Sequence, residues 1–252
     1  IVTGGNSGIG YETVLELAKK NARVFMASRS EEKAKEAIEK IKKETGKDVE
    51  FLCLDLADLK QVKKAAEDFL SLKIPLDILV NNAGIQYVSP IETFPIGQWD
   101  DVLAINLSSA FHTTRLALPR MRANHWGRII NIASVHGLVA STNKSAYVAA
   151  KHGLVGLTKV TALETATTGV TCNAICPGWV LTPLVQQQVD AKATALNVSI
   201  ADATKQLLSE KEPSMQFTTP EELGELAVFL CSPAGNNVRG VAWNMDGGWT
   251  AQ

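Results

Sequence analysis

Thr3-Gly4-Gly5-Asn6-Ser7-Gly8-Ile9-Gly10 joins a first apolar strand to a first helix, and this stretch decides the fold. Glycines at such a junction let the main chain turn tightly and approach a pyrophosphate. The helix start adds unpaired N–H groups and the positive end of a dipole. A glycine cluster alone is a weak signal, since turns are rich in glycine. Its weight comes from standing between a strand and a helix at the head of an alternating pattern. Arg23 to Ala27 reads as a short buried strand. Ser30 caps a helix whose apolar positions Ala34, Ala37, Ile38 and Ile41 recur at helical spacing, and Gly46 stops it. Further strands are read at Val49 to Leu54, Leu76 to Val80, Arg128 to Ala133, Val170 to Ile175 and Val241 to Met245. Asp58 caps the helix after the first of this series, with Gln61 at the capping-box position. Apolar strands alternating with helices predict an α/β domain with a parallel sheet covered on both faces. Pro183 to Pro213 is the one long excursion without a strand. It follows a strand's carboxyl end, where such sheets bind ligands, and reads as a helical lid over a substrate or as a surface insertion.

At 252 residues the chain fits one domain, 1–252, large enough to hold a deep cleft without staples. Its net charge of −1 supplies no basic excess to draw it to nucleic acid or anionic lipid, and no apolar run approaches the ~20 residues a membrane helix needs. Cys53, Cys172, Cys176 and Cys231 form no Cys-x-x-Cys pair. Scattered thiols of this kind read as small buried hydrophobes in a reducing compartment, so a cytoplasmic location is expected and a metal site is not. The opening at Ile1, inside a strand, leaves an upstream targeting segment open.

Two groups of residues carry chemistry. Asp55, at the end of the third strand, can accept from an adenine amino group or cap the approach to the next helix. Asn81-Asn82-Ala83-Gly84 follows the fourth strand with small and amide side chains that can line a cofactor without bulk. Ser134 closes the fifth strand, and Tyr147 and Lys151 lie four apart on the following helix, so they face one way. A tyrosine with its ordinary pKa near ~10 is a poor base, but a neighbouring ammonium favours the phenolate. Tyr147 can then take a hydroxyl proton while hydride leaves carbon, with Ser134 holding the substrate oxygen. Asn106, read as just past a helix start, can anchor a water that relays the proton from Lys151. Each of these residues alone is uninformative; their order along the chain is what points to a nicotinamide-dependent oxidoreductase.

That ordered set resembles the short-chain dehydrogenase/reductase family: the Thr-Gly-x-x-x-Gly-x-Gly loop, Asn-Asn-Ala-Gly, Asn106, Ser134, Tyr147, Lys151 and the Pro177-Gly178 turn. The resemblance covers the whole chain. It implies a Rossmann-type, doubly wound, seven-stranded sheet, a homotetramer, and a cofactor held by the 3–10 loop, Leu56, Asn82 to Gly84, Pro177, Gly178, Val180 and Thr182. From about Leu76 onward the chain is more closely similar to D-3-hydroxybutyrate dehydrogenases. Gln86, the run from Gly127 to Lys151 with His136, Gly137, Asn143 and Lys144, then Cys176 to Trp179, Gln188 and Asp246 to Trp249 carry that likeness. It implies that Gln86, His136, Lys144 and Gln188 hold a substrate carboxylate while Trp179 and Trp249 shape a small pocket. Residues 1–75 are more similar to reductases of the retinol-dehydrogenase kind. On the residues alone, His136 also reads as a satisfied loop histidine, Lys144 as a solvated charge, and both tryptophans as core. Gln186 and Gln187 read as lid surface.

The end of the second strand usually settles the cofactor, because a carboxylate there accepts from the ribose 2′-hydroxyl and repels a 2′-phosphate. Here Ser28 is followed by Arg29, a hydroxyl and a guanidinium able to hold a phosphate, although Arg29 can instead stack on adenine or pair with Glu32. The residues therefore favour NADP, whereas the resemblance implies NAD. The leading expectation is reversible oxidation of (R)-3-hydroxybutyrate to acetoacetate. A 3-oxoacyl-thioester reductase would want a basic surface for an acidic carrier, and no basic cluster stands near the lid. A non-catalytic cofactor-binding scaffold is at odds with the intact Asn106, Ser134, Tyr147 and Lys151 set.

Overall fold

The computed structural model describes residues 1–251. Seven parallel strands form one sheet in the order β3-β2-β1-β4-β5-β6-β7. They are β1 (Val2–Thr3), β2 (Val24–Ser28), β3 (Val49–Cys53), β4 (Ile78–Asn81), β5 (Gly127–Ile132), β6 (Val170–Pro177) and β7 (Ala242–Met245). Each strand read from the sequence is present, with ends shifted by at most two residues. The chain runs outward from β1 to β3, then returns to pair β4 with the other side of β1, so that Val2 lies opposite both Met26 and Val80. That reversal opens a crevice at the strands' carboxyl ends.

Nine helices are described: α1 (Gly8–Lys19), α2 (Glu31–Thr45), α3 (Leu59–Ser71), α4 (Ile96–Leu103), α5 (Ser109–Ala123), α6 (Ser145–Glu164), α7 (Pro183–Leu196), α8 (Ile200–Ser209) and α9 (Pro220–Cys231). On one face of the sheet Val14, Ile41, Leu223 and Leu230, from α1, α2 and α9, pack on Met26, Val80, Ile130 and Ile175. On the other face Val62 of α3 meets Ala27 and Leu54, Met121 of α5 meets Leu79 and Ile129, and Leu154 of α6 meets Ala133 and Ala174. Each fully buried side chain of this size contributes roughly 1.5–3 kcal/mol. The helix punctuation follows the sequence. Ser30 accepts from the Lys33 N–H, and Gly46 ends α2 in the left-handed region at φ 70°. Asp58 bonds the Lys60 N–H at 2.8 Å, one position earlier than a capping box requires, and the reciprocal bond expected from Gln61 is not formed. The 183–213 excursion is the pair α7 and α8. They share a hydrophobic cluster of their own, Val185, Val189 and Ala193 against Ala203 and Leu207, with Trp179 and Phe217 packed on it.

Candidate active site

At the switch point between β1 and β4 the glycine loop is clipped to the turn after β4. The Thr3 hydroxyl accepts the N–H groups of Asn82 (3.0 Å) and Ala83 (3.1 Å), and the Asn82 amide donates to the carbonyls of Thr3 (2.9 Å) and Gly4 (3.2 Å). Gly4 and Gly8 have φ of +62° and +53°, a region that glycine enters without penalty. A Cβ at Gly10 would lie 2.3 Å from the Gly4 carbonyl oxygen, so Gly10 lets α1 start against the loop. Ser7 is the N-cap of α1, yet its side chain makes no capping bond. The first N–H groups of this helix are thereby left for an anionic ligand. This bare cradle fits the pyrophosphate of a dinucleotide. Beside it a cleft of about 610 Å³ is lined by Thr3, Gly4, Asn6, Ser7, Gly8 and Ile9, then by Ser28, Arg29, Asp55, Leu56, Asn82, Ala83, Gly84 and Thr182. Asp55 uses one carboxylate oxygen on the Ala57 N–H at 3.0 Å, so the turn-capping reading holds while the residue also faces the cleft.

A second pocket, of about 250 Å³, adjoins the first through Ile9, Asn82, Gly84, Ile85 and Thr182. Ser134, Tyr147 and Lys151 line it together. Lys151 Nζ donates to the Ile132 carbonyl at 2.7 Å and lies 5.5 Å from the centre of the Tyr147 ring. Burial lowers the Lys151 ammonium to about 8, with Cys176 opposing. Burial also raises the Tyr147 phenol above its ordinary value, and the Ser134 hydroxyl pulls it back. The lowering of Tyr147 expected from Lys151 is therefore not expressed in this arrangement, because the ammonium is directed at a strand carbonyl. Ser134 lies two residues past β5, caps the short turn Val135–Gly137 and accepts the His136 N–H at 3.2 Å.

The residues expected to grip a carboxylate meet in the same pocket. Gln86 enters from the segment after β4, His136 from the turn after β5, Lys144 from the N-cap of α6 and Gln188 from α7. His136 is buried between two hydroxyls, Nδ1 at 3.3 Å from Ser134 and Nε2 at 3.0 Å from Ser141. Burial, then the Lys144 and Lys211 charges, push it down to about 4, so the ring is neutral near pH 7, with one nitrogen donating and the other accepting. Lys144 stands 5.6 Å from the centre of the Trp179 ring, and burial lowers its ammonium too. Trp179 and Trp249 lie 6.3 Å apart, and His136 packs edge-on to both Trp249 and Tyr147. Pro177, Gly178 and Val180 complete the lining.

Of the residues singled out by sequence for the cofactor and the chemistry, Gly5, Gly10, Asn81 and Asn106 do not line either space; the Asn81 amide bonds Thr113 and Asn131 instead. Asn106 does not follow a helix start. It sits in a π-helical turn, Ala104–Ser108, that splits one long helix into α4 and α5. Its amide closes both ways on Ile85, Nδ2 to the carbonyl and Oδ1 from the N–H, each at 2.8 Å. The widened turn swings this buried side chain onto the Gly84–Ile85 main chain instead of into the cleft. Sequence reasoning missed Lys33, Ile85, Val185 and Gln187, all lining residues. Gln187, read as lid surface, borders the cofactor cleft beside Pro183, whereas Gln186 bonds Asp190 on the outside at 2.8 Å. Lys33 carries a signal in retrospect, since the third residue of a helix capped by Ser30 lies back over its own cap.

Comparison with known proteins agrees with this geometry. The family model described as short chain dehydrogenase matches residues 1–193. A D-beta-hydroxybutyrate dehydrogenase of Cupriavidus necator is 55% identical over 252 residues, covering 100% of this chain and 97% of the relative, residues 1–75 included. One of the same name from Rhizobium meliloti is 44% identical over 257 aligned residues, covering 100% and 98%. An L-sorbose reductase from Gluconobacter frateurii, solved with NADPH and L-sorbose, superposes with a TM-score of 0.94 at 28% identity, covering 100% of this chain and 95% of its own. A glycine cradle on β1, a serine, tyrosine and lysine on one wall and full-length relatives of this identity leave one assignment: the chain belongs to the short chain dehydrogenase family.

Proposed function

We propose that this chain, acting as one domain over residues 1–252, reversibly oxidises (R)-3-hydroxybutyrate to acetoacetate with a nicotinamide dinucleotide. The observation that carries the reading is the convergence of Gln86, His136, Lys144 and Gln188 in the pocket that also holds Ser134 and Tyr147. A carboxylate entering so enclosed a space needs donors, and a simple alcohol does not. The two relatives named for this activity support the choice of acid. Trp179 and Trp249 limit the chain length, so four- and five-carbon acids fit and long acyl chains do not.

The dinucleotide supplies the hydride acceptor. The residues present fit it: the 3–10 loop and the start of α1 would take the pyrophosphate, Asp55 and Leu56 would flank the adenine, and Asn82 to Gly84 with Pro177, Gly178, Val180 and Thr182 would line the nicotinamide half. Ser134 orients the substrate hydroxyl, and Tyr147 accepts its proton as hydride leaves the carbon. With the dinucleotide bound, Lys151 would contact the ribose, and its ammonium, turned from the Ile132 carbonyl, would favour the Tyr147 phenolate. Asn106 holds Gly84 and Ile85 in register beside Lys151; a Cβ on Gly84 would lie 3.4 Å from the Asn106 amide oxygen and 3.7 Å from Lys151 Nζ.

NADP is the preferred cofactor in this reading. Arg29 and Lys33 bring two cations to the cleft beside the hydroxyls of Ser28 and Ser30, with no carboxylate at the end of β2. NADPH in the L-sorbose reductase is consistent with that. We also place the enzyme in a reducing cytoplasm, since all four cysteines are free, and in a homotetramer, whose contacts would cover Phe111, Leu116, Val160 and Leu163 on α5 and α6. Among the described residues no helix is long and apolar enough to cross a membrane. The test of the function is the catalytic efficiency of purified protein on 3-hydroxy acids of increasing length with both cofactors. Turnover falling steeply beyond five carbons supports it; equal turnover of long 3-hydroxyacyl substrates would refute it.

A further inference from the structure

Glu212 takes no part in the chemistry above. In Ser209-Glu210-Lys211-Glu212-Pro213 it looks like one more solvated charge, yet it is 1% exposed. Its Oε1 accepts the main-chain N–H of Trp179, and its Oε2 is buried with no hydrogen-bond partner among the described residues. Gly178 makes the room, since a Cβ there would sit 2.2 Å from Oε1; one on Gly247, at φ +57°, would come only within ordinary contact of Oε2 and would meet the Ser214 hydroxyl at 2.3 Å instead. Three segments meet on this carboxyl: the turn leaving β6 at Pro177 to Trp179, the end of the lid after α8, and the loop from Asp246 to Trp249 after β7. Main-chain bonds close the ring around it, from Gly178 N–H to the Met245 carbonyl (2.9 Å), from Ser214 N–H to the Gly247 carbonyl (2.9 Å) and from Thr218 N–H to the Trp179 carbonyl (3.0 Å). Because α7 and α8 share their own cluster, with Trp179 packed against it, this junction is the neck of the lid.

We propose that Glu212 is a positioning residue for the substrate: by tying Trp179 and the end of the lid to the Trp249 loop, it sets the spacing of the two indole walls of the pocket. This rests on the reading of the pocket as a small-acid site. The protonation of Glu212 is part of the device. Burial pushes its carboxyl up to about 7; the Trp179 N–H opposes the rise and the Asp246 charge adds to it. Asp246 faces it from the β7 loop, its own oxygens held by the N–H groups of Gly248 and Thr250 and by the Thr250 hydroxyl. On the lid segment Glu210 pairs with Lys192, and Lys211 lies 6.0 Å from the Trp249 ring centre. The 177–179 turn adds no titratable group. The neutral acid suits this site. Its deprotonation sets a second negative charge near Asp246, parts the lid's end from the loop and loosens the grip on the acid.

The experiment compares wild type, Glu212→Gln and Glu212→Leu. KM for 3-hydroxybutyrate, kcat and cofactor affinity are measured across neutral pH, and tryptophan fluorescence of the substrate-free protein is titrated in parallel. In wild type, KM rises by about tenfold and the fluorescence changes as pH passes about 7, on the scale of one ionisation altering a binding site. Glu212→Gln keeps the acceptor for the Trp179 N–H, holds the low-pH KM and removes both changes. Glu212→Leu raises KM by roughly tenfold at every pH while kcat and cofactor affinity stay within about twofold. The proposal is overturned if Glu212→Gln retains either wild-type pH change, or if a folded Glu212→Leu binds the acid as wild type does. Should the fluorescence transition vanish in Glu212→Gln while 3-hydroxybutyrate is not turned over at all, the functional reading fails and the coupling of Glu212 to the indole walls stands.

Discussion

Lys144→Met deletes the one full positive charge among the residues that surround the substrate carboxylate in the proposed complex, while keeping an unbranched stem of similar length against Trp179. A hydrogen bond to a charged group is worth about 1.5–3 kcal/mol, and each 1.4 kcal/mol is tenfold, so KM for 3-hydroxybutyrate should rise by roughly 10- to 150-fold. The fold should tolerate the change. Burial already disfavours this ammonium, and its contact with the Trp179 ring at 5.6 Å is of the order of 1 kcal/mol. A second readout comes from His136, held near 4 first by burial and then by the Lys144 charge. In the variant the Lys144 repulsion disappears while the burial and the Lys211 charge remain, so His136 should titrate higher than in wild type but below an exposed histidine. Steady-state kinetics gives the first quantity, and the ring resonances of His136 followed by NMR against pH give the second. An unchanged KM with His136 shifted upward would mean that Lys144 is close to the pocket but does not hold the acid. An unchanged His136 would refute the electrostatic geometry itself.

Tyr147→Phe should lower kcat by at least ~10²-fold, the scale of a lost general base, while cofactor binding measured by fluorescence stays intact because the 3–10 cradle is untouched. Ser28→Asp should turn the cofactor preference from NADP to NAD, since a carboxylate there repels the 2′-phosphate; comparison of kcat/KM for the two cofactors checks it, and an NAD-preferring wild type would show that Arg29 and Lys33 do not hold that phosphate. The contribution of Glu12 and Glu212 to stability should fall as pH rises from about 4.5 to about 7, because the fold binds their protons more tightly than the unfolded chain does, and what they contribute below 4.5 is lost through that window. His136, lowered from 6.5 to about 4, works in the opposite sense over part of the range. Urea denaturation of Glu212→Gln should therefore show a gain over wild type that is absent near pH 4 and reaches the order of 3 kcal/mol by about pH 8.

The sheet was legible because its strands are short apolar runs between strong stops such as Ser30, Gly46 and Asp58, and because the glycine loop fixes where the first helix begins. The candidate catalytic side chains Ser134, Tyr147 and Lys151 were legible as an ordered set, since one helical turn places the last two on one wall. What was not legible depends on geometry that periodicity does not carry. The π-helical turn at Ala104–Ser108 shifts Asn106 away from the position its spacing implied. Gln187 and Gln186 are adjacent and chemically identical, and only the orientation of α7 sends one to the cleft and the other outward. Glu212 lies in a run of charges, and its carboxyl is accommodated because Gly178, distant in sequence, lacks the Cβ that would exclude it.

Activity on D-3-hydroxybutyrate against its methyl ester, measured as kcat/KM under one set of conditions, tests the carboxylate charge at the cost of one added methyl group, no more than the five-carbon acid adds. The two molecules present the same hydroxyl to Ser134 and Tyr147 and differ in the charge that Gln86, His136, Lys144 and Gln188 surround. If those residues bind the acid, the acid should be favoured by at least about tenfold, the loss expected when a charged hydrogen bond is removed. An ester that reacts as well as the acid, or better, would contradict the acid clamp and make the enzyme a general carbonyl reductase on the same scaffold.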